Sequence, residues 1–254
     1  VIFADPYFVM YAHLVHLAGG ECVPVDTYPD FRPDPAKFAA ALTDRTRLLI
    51  LNSPGNPTGC VYTEDELRAL AALAAERDLL VLSDEIYDAF CYDGPFHSIA
   101  GMHPNTLLLR GFSKTYAMTG WRLGYCTGPA AVLEKMTMLQ QYTFVCAPSM
   151  AQAAGPAALA CDVSGHVADY RRKRDMVCDA LGEAFGLVKP AGAFYAFVPA
   201  PGGDATAFVE KAIAHNVLII PGTVFSGRDT HFRISYATSD ERLAEGLGIL
   251  KSLA

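Results

Sequence analysis

Four short stretches of this sequence combine residue types that could do chemistry together. The first surrounds a lysine, Gly111-Phe-Ser-Lys-Thr-Tyr-Ala-Met-Thr-Gly-Trp-Arg122. A lone lysine is ordinarily solvated, but Lys114 stands among apolar, aromatic and small residues just past an expected buried strand. Desolvation there would lower its pKa toward the range in which a free amine attacks a carbonyl carbon. The second stretch, Ser83-Asp-Glu-Ile-Tyr-Asp88, sets Asp84, Glu85 and Tyr87 directly after another apolar run. A single acidic residue in that place reads as a helix cap or a surface group. Two carboxylates followed by a tyrosine favour a polar site. The third stretch, Asn52-Ser-Pro-Gly-Asn-Pro-Thr-Gly59, is by itself a tight turn. In the fourth, Phe232-Arg-Ile-Ser-Tyr236, Arg233 interrupts an apolar strand pattern, which suits a buried, anion-facing guanidinium better than a solvated one.

These stretches need elements to position them. Val1–Ala4, Glu21–Val25, Arg47–Asn52, Leu79–Ser83 and Thr106–Arg110 read as strands, several of them continuously apolar, as in a parallel sheet covered on both faces. Helical patterns at Tyr7–Ala18, Asp34–Leu42 and Glu64–Arg77 alternate with them. Thr63 and Glu66 form a capping box at the start of the last. The alternation predicts an α/β fold with right-handed crossovers, and in such a sheet ligands bind where the strands end. Three of the four chemical stretches lie there. Past Pro129 the pattern changes to helices at Ala130–Tyr142, Ser149–Ala160 and Val167–Phe185. Strands follow at Ala193–Val198, Val217–Ile220 and Phe232–Tyr236, then a helix over Asp240–Leu253. This predicts a large domain over 1–150 and a smaller α+β domain over 151–254, with the boundary inside Thr143–Ser164.

Composition narrows the function. The chain has 254 residues with 20 basic and 27 acidic side chains, a net charge of −7, which argues against nucleic acid or an anionic membrane as the main partner. Its apolar runs are strand-length, so no membrane span is expected. The seven cysteines are scattered with no C-x-x-C pair, which predicts core thiols in a reducing compartment rather than disulfides. His13 and His16 lack a third ligand at matching spacing, so no metal site is expected. Gly202-Gly203 lacks the context of a dinucleotide loop. Arg171–Arg174 reads as one solvated helix face, and Tyr195 as either a core aromatic, the commoner role in a short strand, or part of a cavity wall.

Taken together, and in this order, N-P-T-G, S-D-E-I-Y and S-K-T-Y-A-M-T-G-W-R resemble the class I/II aminotransferase family of fold-type I pyridoxal-phosphate enzymes. The resemblance continues through Pro190-Ala-Gly-Ala-Phe-Tyr195, Pro221-Gly222 and Phe232–Tyr236, and so covers essentially the whole chain. It implies a mostly parallel sheet in a three-layer α/β/α large domain, with pyridoxal 5'-phosphate as cofactor. Lys114 would hold that cofactor covalently and move a proton between the substrate α-carbon and the cofactor C4′. Asp84 would pair with the pyridine nitrogen and keep it protonated, making the ring an electron sink. Tyr87 and Asn56 would hydrogen-bond the ring O3′, and Arg122 would grip the phosphate. Arg233 would bind the substrate α-carboxylate, with Asn56 beside it. Phe8 would stack on the ring and Ile86 pack against its other face. Phe8 also reads as a core residue of an amphipathic helix, and Ile86 as a buried strand-end residue. Gly111 departs from the pattern, since many members carry Ser or Thr three residues before the lysine.

The resemblance implies a cytoplasmic homodimeric aminotransferase that moves an amino group between an α-amino acid and a 2-oxo acid in a ping-pong cycle. Two other readings of the same residues are a pyridoxal-phosphate-dependent C–S lyase or synthase, and a non-catalytic aminotransferase-like sensing domain. The family's Gly-rich phosphate loop, its N-terminal arm and the tyrosine reaching in from a neighbouring subunit would all lie upstream of Val1. The chain is therefore expected to be the C-terminal part of a longer protein.

Overall fold

Successive residues of a strand face opposite sides of a sheet, and here both sides are apolar. A computed structural model describes residues 1–254. In β1 (Ile2–Asp5) and β3 (Leu48–Asn52), Ile2, Leu49 and Leu51 pack with Phe38 of α2 (Pro35–Ala41) and with Leu67, Leu70 and Ala74 of α3 (Glu64–Glu76). Their neighbours Phe3 and Ile50 turn the other way, onto Tyr11 of α1 (Met10–Leu17). Fully burying each of these aliphatic side chains is worth roughly 1.5–3 kcal/mol, so helices on both faces follow from the sequence. The capping box is present: Thr63 accepts from the Glu66 N–H and the Glu66 carboxylate accepts from the Thr63 N–H.

With β2 (Val23–Asp26), β4 (Leu80–Asp84), β5 (Thr106–Gly111) and β6 (Gly124–Thr127), the sheet order is β2-β1-β3-β4-β5-β6. The first five strands are parallel and β6 is antiparallel to β5. The sequence reading omitted β6. It is short, carries Gly124, and lies mostly exposed, so it has neither the length nor the apolar alternation of its neighbours.

The chain continues through α4 (Ala130–Gln141), α5 (Ser149–Leu159) and the long α6 (Ser164–Phe185). A second, antiparallel sheet follows, built from β7 (Tyr195–Pro199), β8 (Ile220–Pro221) and β9 (His231–Ser235) in the order β7-β9-β8. α7 (Ala205–Ala214) and α8 (Asp240–Ser252) pack on it together with α6. The fold is thus α/β: a mixed, mostly parallel sheet plus a small antiparallel one. No helix is long and apolar enough to cross a membrane.

Three expectations are corrected. The strand expected over Val217–Ile220 contracts to Ile220–Pro221, because Val217 spends its N–H on the Ala212 carbonyl as α7 ends, with Asn216 left-handed at φ 62°. The first helix begins at Met10 rather than Tyr7, whose N–H goes instead to the Phe225 carbonyl. The basic run 171–174 is not one solvated face. Arg174 is fully buried, its guanidinium bonded to Asp93, Asp175 and the Pro190 carbonyl, and lies over the Tyr92 ring.

Candidate active site

Parallel strands that stop level with one another bring their last residues to one edge. Asn52 of β3 is in register with Asp84 of β4, and Asp84 with Leu109 of β5. The turn after β3 carries Asn56 and closes at Gly59, whose φ of +68° is left-handed. A Cβ at Gly59 would meet Pro190 Cβ at 2.5 Å, so only glycine fits. The loop after β5 carries Lys114. These parts wall an open cleft of about 470 Å³, to which β7 adds Tyr195 and β9 adds Arg233. Phe8, Ile86 and Tyr87 complete the wall among the sequence candidates. Residues distant in sequence therefore converge on one cavity.

Most polar side chains in the cleft are held by an identifiable partner, and Lys114 is the exception. Asp84 accepts a 2.6 Å hydrogen bond at Oδ2 from the Tyr11 hydroxyl and a 3.3 Å bond at Oδ1 from the Ile86 N–H. Burial raises its carboxyl above the ordinary 3.8, and those two bonds pull back against it. A carboxylate this costly to ionise would be stabilised by a cationic guest in the cleft. Asn52 braces the same strand end: its Nδ2 donates to the Asp84 carbonyl at 3.0 Å, and its Oδ1 accepts from the Asn56 N–H at 2.8 Å. Arg233 Nη1 donates to Asn56 Oδ1 at 2.9 Å, and its guanidinium carbon lies 4.5 Å from the Tyr195 ring centre and 4.6 Å from that of Phe225. Its Nε is buried with no hydrogen-bond partner. A half-buried guanidinium with an unused buried donor fits a carboxylate guest.

Lys114 makes no ion pair and no side-chain hydrogen bond. Its amine is held below the ordinary 10.5, first by burial and then by the charges of Arg122 and Arg233. The free amine is therefore reached at a lower pH than for a surface lysine. Tyr87 is pushed up, above all by burial and then by Tyr195, so its phenol keeps its proton as a donor.

Not every candidate lands on the wall. Arg122 is exposed, left-handed at φ 53°, and donates from Nη1 to the Thr119 carbonyl at 2.9 Å. It bears on the cleft through its charge on Lys114. Phe8 sits in the turn before α1 and not on the helix, on the cavity wall. Gly111 has a packing reason of its own: a Cβ there would meet Ile86 Cδ1 at 2.7 Å, so the glycine makes room for a wall residue.

Tyr11, Asn52 and Arg110 are not among the sequence candidates, and of the two readings open to Tyr195, core aromatic or cavity wall, the structure places it on the wall. Tyr11 follows Phe8 by three residues, a spacing that puts both on one side of a helical turn, which was the available signal. Arg110 lines the cleft while donating from Nε and Nη2 to the buried Glu85 and pairing with Asp88 at 3.1 Å. It thereby ties β5 to the segment that carries Asp84 and Tyr87.

Comparison with known proteins gives the family and the fold. Residues 1–250 match the family described as aminotransferase class I and II. The chain is 41% identical to putative aminotransferase YugH of Bacillus subtilis (strain 168), over 99% of this chain and 68% of that protein. It is 40% identical to the aspartate/prephenate aminotransferase of Thermus thermophilus, over 97% of this chain and 67% of that one. The crystal structure of the aromatic aminotransferase from Pyrococcus horikoshii OT3 superposes with a TM-score of 0.95 at 39% identity, covering 99% of this chain and 72% of that one.

Proposed function

This chain belongs to the class I and II aminotransferase family, and from that premise we propose that it moves an amino group between an α-amino acid and a 2-oxo acid with pyridoxal phosphate held by Lys114. The observation that carries the reading is the convergence in one cleft of an unpaired, charge-disfavoured lysine, a buried carboxylate and a guanidinium with an unused buried donor. These groups fit the cofactor and its substrate. When bound, the cofactor supplies an electron sink for the bonds at the substrate α-carbon.

The chain's own residues then have distinct tasks. Asp84, braced by Tyr11 and Asn52, pairs with the ring nitrogen and keeps a proton on it. Tyr87 and Asn56 offer hydrogen bonds to the ring oxygen, while Phe8 and Ile86 confine the ring between apolar surfaces. Arg122 supplies a cation for the phosphate. Arg233, held flat between Tyr195 and Phe225 and anchored by Asn56, takes the substrate carboxylate as a fork. That contact fixes the substrate α-carbon relative to Lys114, whose neutral amine accepts the α-proton and returns it on the cofactor side. In this reading residues 1–150 hold the cofactor, and residues 151–254 bring Tyr195 and Arg233 to it.

Borohydride reduction of the protein with added pyridoxal phosphate tests the assignment directly. The expected result is the reduced cofactor's mass on the peptide containing Lys114, lost in Lys114→Ala. A labelled amino group should then pass from an α-amino acid to a 2-oxo acid. Unmodified Lys114, or release of ammonia and pyruvate without an acceptor, would overturn the proposal.

A further inference from the structure

Tyr87 and Tyr195, 108 residues apart, meet through their hydroxyls at 3.1 Å. Both line the cleft, and neither hydroxyl has another hydrogen-bond partner. Two phenols joined by one hydrogen bond hold two protons. One lies in the bond and the other is free for a third group, so the direction of the bond decides which tyrosine serves the cleft.

The surroundings set that direction. The Arg233 guanidinium lies 4.5 Å from the centre of the Tyr195 ring. A cation against that π-face draws electron density from the ring and makes the Tyr195 O–H the more polarised of the two. The same stacking keeps the Tyr195 ring from turning away. Around Tyr87 the packing is different: its ring meets Phe194 and Tyr195 edge-on, with centres 5.3 and 5.7 Å away, and no guanidinium stacks on it. Tyr195 is therefore the donor and Tyr87 the acceptor, which leaves the Tyr87 proton to point into the cleft.

We infer that Tyr195 is a positioning residue: by donating to the Tyr87 oxygen it commits the Tyr87 hydroxyl proton to the ligand bound in the cleft. Arg233 enforces this by stacking on the Tyr195 ring, so one tyrosine links the carboxylate-binding arginine to the phenol that faces the cofactor. The inference rests on the function proposed above for what occupies the cleft. The hydrogen bond itself is independent of that reading.

The experiment has two arms, both using Tyr195→Phe, which keeps the ring beneath Arg233 and removes only the hydroxyl. In the first arm, wild type, Tyr87→Phe, Tyr195→Phe and the double variant are melted without cofactor. Each single variant leaves one buried hydroxyl unpaired and should melt about 2–4 °C lower, with the double variant no lower than either single. Additive losses would overturn the inference whatever the cofactor does. In the second arm, pyridoxal phosphate is added and its visible absorbance is titrated with pH. Tyr195→Phe should raise the midpoint by about half a unit to one unit, the size of one weakened hydrogen bond, and add nothing in the Tyr87→Phe background. A purely structural role for Tyr195 would lower melting temperatures and leave the midpoint in place, which would also overturn the inference. Failure of wild type to modify Lys114 would sink the proposed function, and with it the commitment of the Tyr87 proton to a bound cofactor, whereas non-additive melting would still show the two hydroxyls paired.

Discussion

At the residue scale the cleft is built from groups whose ordinary charge states are made costly. Lys114 is the clearest case, and the sign of its effect on stability follows from linkage. Its folded pKa lies below the ordinary 10.5, so between those two values the unfolded chain binds more protons than the folded one. Stability should therefore climb with pH through that window, up to 10.5. Lys114→Met should flatten the climb and be more stable than wild type at neutral pH, as read by urea denaturation from pH 6 to 10. A parallel pair of curves would contradict the buried-amine assignment. Tyr11 makes the opposite kind of contribution, since its 2.6 Å hydrogen bond is one of two that offset the burial of the Asp84 carboxylate. Without it Asp84 moves further toward its neutral form, which cannot hold a proton on a ring nitrogen. Tyr11→Phe should lower kcat about tenfold at saturating cofactor, the worth of one hydrogen bond to a charged group. An unchanged kcat would remove Tyr11 from the site. The residues of this cleft were legible in sequence where they sit in short contiguous motifs, as Lys114, Asp84 and Asn56 do. Tyr11 and Asp84 are 73 positions apart, and Arg233 and Asn56 are 177 apart, so those contacts exist only once strands are placed side by side.

At the element scale, what the sequence announced were the elements that bury one clear pattern. The runs 48–51 and 79–82 are continuously apolar because helices cover both faces, and α3 announced its start through Thr63 and Glu66. What it concealed were elements defined by a neighbour. β6 exists because β5 offers it an edge, and Val217 leaves the expected strand because α7 needs its N–H. The basic run on α6 was hidden for the same reason. Charge alone reads as solvation, yet Arg174 turns inward, where Asp93 and the Pro190 carbonyl wait on the loops after β4 and before β7. That buried guanidinium pins α6 to the loops behind the cleft. Arg174→Ala should cost about 2–4 kcal/mol, chiefly from the cavity left by a fully buried side chain, because its partners Asp93 and Asp175 stay partly in water. Denaturant unfolding would show it, and a loss below about 1 kcal/mol, the usual worth of a surface pair, would mean that the contact is solvated in solution.

At the scale of the whole molecule, the cleft needs both sheets in fixed register, because Asp84 and Lys114 hang from one and Arg233 and Tyr195 from the other. The joint is aromatic. His231, at the start of β9, stacks on Phe197 of β7 at 5.0 Å and 16°, and meets Tyr28 and Phe31 of the large-sheet side edge-on at 5.2 and 5.7 Å. Burial pushes its imidazole down from 6.5 to about 4, with the Arg228 guanidinium adding to the effect. Between those values the unfolded chain takes up a proton that the folded joint refuses, so stability falls as pH drops through the window. A full separation of the two values would be worth about 3 kcal/mol, and partial exposure of the ring reduces this to the order of 1–3 kcal/mol. Asp5, on the same side of the joint, works in the opposite direction, because burial raises its carboxyl and favours the protonated fold. The two are separated by comparing wild type with His231→Phe, which keeps the aromatic stack and cannot be protonated. The difference in unfolding free energy between the two proteins should be flat above pH 6.5 and then swing toward the variant down to about pH 4. Since β9 also carries Arg233 two residues further on, the same variant should retain carboxylate binding at acid pH where wild type begins to lose it. A pH-independent difference would mean that His231 is solvated, and that the two sheets are held by the remaining aromatic contacts alone.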